Sequence, residues 1–257
     1  MAEVVSLERD GDVGVIRIDR PKVNALNVEV VAQLDEACAA AEADRSVRAV
    51  VVTGGERTFS AGADLTEMAE GTPDDVRARV GALQRACDRI EALPLVTIAA
   101  INGYALGGGC EIALACDFRF VDRAARLGQP EVVVGLIPGA GGTQRLPRIV
   151  GMARAKWMIY SGTFVDSATA KEWSLVDEVV DGDTIARAIE AATKYASGPT
   201  LSIGAAKRAI HAAVGTKHDG LAKELDEFVA LFSTEDTRHG LESFAKEGPG
   251  KAQYKGR

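Results

Sequence analysis

Two glutamates of this 257-residue chain stand in apolar company. Glu111 lies within GYALGGGCEIALACDF, flanked by Cys110, Ile112, Ala113, Leu114, Ala115 and Cys116, and Glu131 lies in GQPEVVVG ahead of Val132, Val133 and Val134. Desolvation in such a setting raises a carboxyl's pKa, whereas neighbouring N–H donors lower it. Two acids tuned apart in this way can serve one reaction, one giving a proton and the other taking it. Taken singly, either glutamate also fits a helix cap or an ion pair.

Glycine-bearing turns accompany them. Gly107, Gly108 and Gly109 precede the apolar segment that carries Glu111, and free N–H groups at the start of a helix point out of its positive end. Without Cβ atoms, a ligand can approach that backbone closely. The earlier stretch TFSAGADL, residues 58–65, is a second small-residue turn. Amides from two such turns can converge on one oxygen that gains negative charge, as an oxyanion hole requires. Either turn alone is equally an ordinary tight connection.

Around these stretches the pattern is that of an α/β core. VVSLERDGDVGVIRIDRP reads as two strands about an Asp-Gly turn, and residues 27–44 as an amphipathic helix capped by Asn27. Strands are expected at 48–54, 95–103 and 118–122, a long helix at 73–92, and a short apolar run at 132–135. Beyond about residue 150 the pattern is helical, with helices expected at 152–160, 167–173, 183–197, 200–214, 217–233 and 235–246. Leu221, Leu225, Phe228, Val229 and Phe232 recur at helical spacing, as a stripe packed on the core or on a sister subunit would. No linker separates freely hinged domains.

Composition narrows the function. Hydrophobic residues make up 47% of the chain, enough for a substantial core, and the formal charge of -7 comes with no basic stripe for nucleic acid or an anionic membrane. The N-terminus lacks the basic start and apolar run of a secretory signal, and a cytoplasmic location is expected. Four cysteines form no CxxC pair and three histidines fall late in the chain, which disfavours a zinc site. GAGGTQ lacks the spacing of a dinucleotide fingerprint, and no phosphate loop is present.

FSAGADL, AAINGYALGGGCEIALACDFRF and GQPEVVVGLIPGAGGTQRL together, in this order, resemble the enoyl-CoA hydratase (crotonase) family. The resemblance runs from RPKVNALN at Arg20 to the helical C-terminus, although RPKVNALN is one residue shorter than the form common in that family. It implies a spiral of ββα units spanning residues 1–195 with an acyl-CoA site, and a helical trimerisation region at 196–257. It further implies a homotrimer or dimer of trimers, and no metal or cofactor beyond the coenzyme A of the substrate. The implied reaction is the reversible syn addition of water to a trans-2-enoyl-CoA, giving a 3-hydroxyacyl-CoA. Glu111 and Glu131 map onto the two catalytic carboxylates, with Glu111 deprotonating the water and Glu131 protonating Cα. Ala61 and Gly108 map onto the oxyanion hole, and Ala61, Gly62, Ala63, Asp64 and Gly108 onto substrate contacts. The acyl pocket is expected to draw on residues 65–84 and 155–162, with Trp157 in the core.

Other classes remain open at this point. Enoyl-CoA isomerisation, or acyl-CoA binding without catalysis, would use the same pocket. A serine hydrolase would need Ser60 in a GxSxG elbow, but Thr58 replaces its first glycine.

Overall fold

A computed structural model describes residues 3–69, 71–212, 225–226, 228–231, 233–247 and 251–257. One sheet is built from β1 (Val5–Asp10), β2 (Val13–Ile18), β3 (Ala49–Thr53), β4 (Val96–Ile101) and β6 (Phe118–Asp122) of the first half and β9 (Glu178–Val180) of the second, in the order β1-β2-β3-β4-β6-β9. β1 and β2 form an antiparallel hairpin about Gly11, whose φ of 58° suits the turn; the remaining pairs are parallel. A smaller sheet joins β5 (Tyr104–Leu106), β7 (Arg126–Gly128) and β8 (Val165–Asp166) in that order. The sequence pattern missed these three because each is only two or three residues long, too short for an alternation to register.

The central strands are apolar on both faces. β3 is buried along its whole length: Val50 and Val52 join a core with α1 (Val28–Ala43), α3 (Pro73–Ala92) and α4 (Gly108–Ala115). Ala49 and Val51 turn the other way, toward Ala188, Ala191, Ala192 and Ala196 of α8 (Thr184–Ala196). A sheet covered on both sides needs such continuous apolar runs. Asn27 caps α1 by accepting from the Val30 N–H, and Thr72 and Asp75 close a capping box on α3.

The later helices fall close to their expected places, as α6 (Met152–Ser161), α7 (Ser167–Glu172), α8, α9 (Thr200–Ala212) and a helix at Glu235–Glu247, whereas α5 (Gly142–Val150) is a helix the pattern does not predict. Most of the helix expected at 217–233, including Leu221 and Phe232 of its stripe, lies outside the described residues. The apolar run at 132–135, to which the sequence pattern assigns no element, is a tight turn. Glu131–Val134 forms a 3₁₀ turn closed by Gly135 in the left-handed region, with Val133 and Val134 exposed.

Candidate active site

Glu111 occupies the first turn of α4, a helix whose eight residues are all buried, and is itself only 2% exposed. Its Oε1 accepts two backbone N–H groups, from Ala140 at 2.7 Å and Gly142 at 2.8 Å. Both donors belong to the turn that leads into α5. Burial pushes the Glu111 pKa up, opposed by the Gly142 and Ala140 N–H groups and by the Arg145 cation. The carboxyl is thereby fixed in direction and made more basic than an exposed glutamate.

Glu131 enters from the 3₁₀ turn and differs in its partners. Its Oε2 is buried and meets no hydrogen-bond partner among the described residues. Burial raises its pKa to about 7, with the Glu111 charge adding to the rise and its own backbone N–H opposing it. Gly107 lets it come near: a Cβ on that residue would stand 3.3 Å from Glu131 Oε1, and its φ of 53° favours glycine. The raised pKa makes a stability prediction. Between 4.5 and about 7 the folded carboxyl keeps a proton that the unfolded chain has lost, so wild-type stability falls as pH rises through that window. Glu131→Gln removes this dependence. Its melting temperature, relative to wild type, should rise by roughly 3 °C between pH 5 and pH 8, measured by scanning calorimetry; a constant difference contradicts the assignment.

The backbone donors require one correction. The Ala61 N–H, expected to face the ligand, donates instead to the Val23 carbonyl at 3.0 Å and is spent inside the fold. Two residues on, Leu26 and Ala63 form an isolated parallel bridge through the Gly62 carbonyl and the Asp64 N–H. In that pattern the Ala63 N–H points away from Leu26, and it meets no acceptor among the described residues. The Gly108 N–H, at the head of α4, likewise meets no acceptor among the described residues. The two free amides are neighbours: a Cβ on Gly108 would lie 3.7 Å from the Ala63 nitrogen, and one on Gly62 3.4 Å from the Gly108 nitrogen.

A polar anchor that the sequence reading overlooked holds the 60–63 turn. Asn24, 7% exposed, donates through Nδ2 to the Gly54 and Thr58 carbonyls at 2.8 Å each, and its own carbonyl accepts Ser60 Oγ at 2.7 Å. Ser60 Oγ in turn accepts the Gly62 N–H at 3.1 Å. Ser60 is fully buried within this network, so no exposed nucleophile exists there.

Both glutamates open onto one cavity of about 360 Å³. Ala61, Gly62, Ala63 and Gly107 form its backbone side, and Leu65, Met68, Val80, Leu83, Leu136 and Ile137 its apolar side. The expected stretch 65–84 therefore contributes, whereas 155–162 contributes only Gly162. Trp157 is not core: it is 49% exposed and meets Trp173 edge-on at 5.5 Å. Asp64 is absent from the wall, as is Gly108, which follows the wall's Gly107 and lies beside the Ala63 nitrogen. The Asp64 carboxylate pairs with Arg20 at 2.8 Å and accepts the Thr66 and Glu67 N–H groups at the start of α2 (Leu65–Ala69), a structural task. Among the described residues no three His, Cys, Asp or Glu side chains gather as a metal site, and no helix is long and apolar enough to cross a membrane.

Paired carboxyls, paired free amides and an apolar cavity define a class of acyl-thioester site. The family model for enoyl-CoA hydratase/isomerase matches residues 8–257, and the chain belongs to that family. It is 41% identical over 248 residues to a short-chain-enoyl-CoA hydratase of Clostridium acetobutylicum, covering 95% of each chain. It is 37% identical to a crotonyl-CoA hydratase of Syntrophomonas wolfei, covering 95% of this chain and 96% of the other. Among solved structures, an enoyl-CoA hydratase from Bacillus anthracis superposes with a TM-score of 0.92 at 37% identity, covering 99% of this chain and all of the other.

Proposed function

We propose that the chain is an enoyl-CoA hydratase that adds water reversibly across the double bond of a 2-enoyl-CoA to give the 3-hydroxyacyl-CoA. The convergence of Glu111 and Glu131 on one cavity carries this reading. The thioester oxygen accepts the Ala63 and Gly108 N–H groups, which stabilise the charge that develops there as the C=C bond is attacked. Glu111, held by two amides, takes a proton from the water as it bonds to Cβ. Glu131, protonated up to about pH 7, delivers its proton to Cα. Dehydration reverses both transfers. Two carboxyls favour hydration over double-bond isomerisation, which needs one group to move a single proton.

Ala61, Gly62 and Ala63 would flank the thioester end of coenzyme A, and no metal or further cofactor is required. The exposed Leu225, Phe228 and Val229 support reading residues 196–257 as an oligomerisation region of a homotrimer or a dimer of trimers, working in the cytoplasm on fatty-acid intermediates.

Incubation with a short 2-enoyl-CoA in water should lower the conjugated-thioester absorbance to an equilibrium value; an unchanged spectrum rejects the reading. The direction of the Glu131 shift adds a pH prediction. Because hydration uses its protonated form, kcat/KM for hydration should fall as pH rises through about 7, while kcat/KM for dehydration should rise through the same range. Parallel profiles in the two directions would remove Glu131 from the acid role.

A further inference from the structure

The turn that holds Glu111 has little stiffness of its own. It reads GAGG from Gly139 to Gly142, and glycine-rich backbone visits many conformations unless something fixes it. Arg145, in the first turns of α5, supplies the fixing contact. Its Nη1 donates to the Ala140 carbonyl at 3.1 Å. That carbonyl lies in the chain between the two N–H groups that grip Glu111 Oε1. The guanidinium is anchored in turn on α3: Nε and Nη2 donate to Glu91 Oε2 at 3.0 and 2.5 Å, and Nη2 to Asp88 Oδ1 at 2.6 Å. Its side chain is 8% exposed. A charge buried to that degree and paired in this way holds one geometry. Gly141 has a φ of 110°, and a Cβ there would overlap Arg145 Nη1, so the turn is shaped around the guanidinium.

We propose that Arg145, anchored by Glu91 and Asp88, is a positioning residue of the reaction: it fixes the turn at residues 139–142 so that the Ala140 and Gly142 amides aim Glu111 at the water to be activated. The inference rests on the hydratase reading for the meaning of that aim. Arg145 does not line the cavity wall and touches no reacting atom; it acts through the Ala140 carbonyl. Its cation also favours the ionised Glu111. The other titratable groups facing Glu111 are the buried Cys87 thiol of α3, Cys110 of its own helix and Glu131 of the 3₁₀ turn, none of them a cation.

The test compares wild type with Arg145→Lys and Glu91→Gln. A lysine keeps the charge but cannot serve Glu91, Asp88 and the Ala140 carbonyl together. Glu91→Gln keeps an acceptor and weakens the anchor without touching the turn. Per folded molecule, kcat on a 2-enoyl-CoA should fall roughly tenfold to hundredfold in Arg145→Lys, and less in Glu91→Gln, with KM within about threefold of wild type. Titration of the Glu111 carboxyl by carbon NMR, assigned through Glu111→Gln, should show its midpoint moving upward in both variants as donors to the charged form loosen. Lower melting temperatures with kcat and the midpoint unchanged would overturn the proposal, as would a rise in KM alone. Should Arg145→Lys not fold, the Glu91→Gln midpoint decides alone. Wild-type turnover and its loss in Glu111→Gln test the hydratase reading separately, and the NMR midpoint stands whatever those show.

Discussion

Glu111→Gln should lower kcat for hydration of a short 2-enoyl-CoA by about a hundredfold or more while leaving the melting temperature almost unchanged. The fold tolerates the change because a glutamine Oε1 still accepts the Ala140 and Gly142 N–H groups that now bind the carboxylate. Only the basic oxygen is lost. Glu131→Gln should cost a similar factor for the complementary reason, since an amide cannot deliver a proton to Cα. The two losses should not multiply. Residues that act in one transition state lose most of their effect once either is removed, so the double variant should stay within about tenfold of the worse single one. KM should hold throughout, because neither carboxyl binds the coenzyme A portion. Steady-state kinetics checks each statement, and turnover within a few-fold of wild type in both single variants contradicts the assignment.

A second large effect is expected at Gly108. Gly108→Pro removes the free N–H assigned to the thioester oxygen, and the loss of one oxyanion donor typically costs about 3 kcal/mol, or a hundredfold to a thousandfold in kcat. Position 108 is the first residue of α4, where proline suits the helix because that N–H has no helical acceptor. The added ring atoms meet Leu26 Cδ1 and Leu83 Cδ2, each 3.0 Å from where a Cβ would stand, so those flexible ends must shift. Circular dichroism and a thermal melt establish whether the helix survives. A folded Gly108→Pro enzyme with wild-type kcat would show that the oxygen is stabilised elsewhere.

The reactive pieces were legible in the sequence because their chemistry conflicts with their surroundings. A glutamate inside a helix apolar on every side, and another beside three valines, stand out on solvation grounds alone, and the structure brings both to one cavity. Strands β3 and β4 were legible for the opposite reason, as continuous apolar runs buried on both faces. What escaped was decided by backbone geometry. Ala61 and Ala63 are chemically identical, and only the bridge through Gly62 and Asp64 shows that one N–H is spent and the other free. Asn24, Ala140, Gly142 and Arg145 were equally invisible: their roles come from contacts with residues far along the chain or from a turn whose shape no local pattern encodes. Trp157, expected in the core, lies half-exposed against Trp173. The valines after Glu131 register in the sequence only as a short apolar run, with nothing to show that they form a 3₁₀ turn. That tight turn is what swings Glu131 into the cavity.

The central claim is geometric: two amides from separate glycine-bearing turns hold one thioester oxygen while two carboxyls flank the adjacent double bond. A crystal structure with an unreactive acyl-CoA analogue tests it most directly. The thioester oxygen should lie 2.7–3.1 Å from both the Ala63 and Gly108 nitrogens, with Glu111 and Glu131 on either side of the Cα–Cβ bond. A carbonyl oxygen bound away from those nitrogens, or a bond that neither carboxyl reaches, would contradict the mechanism.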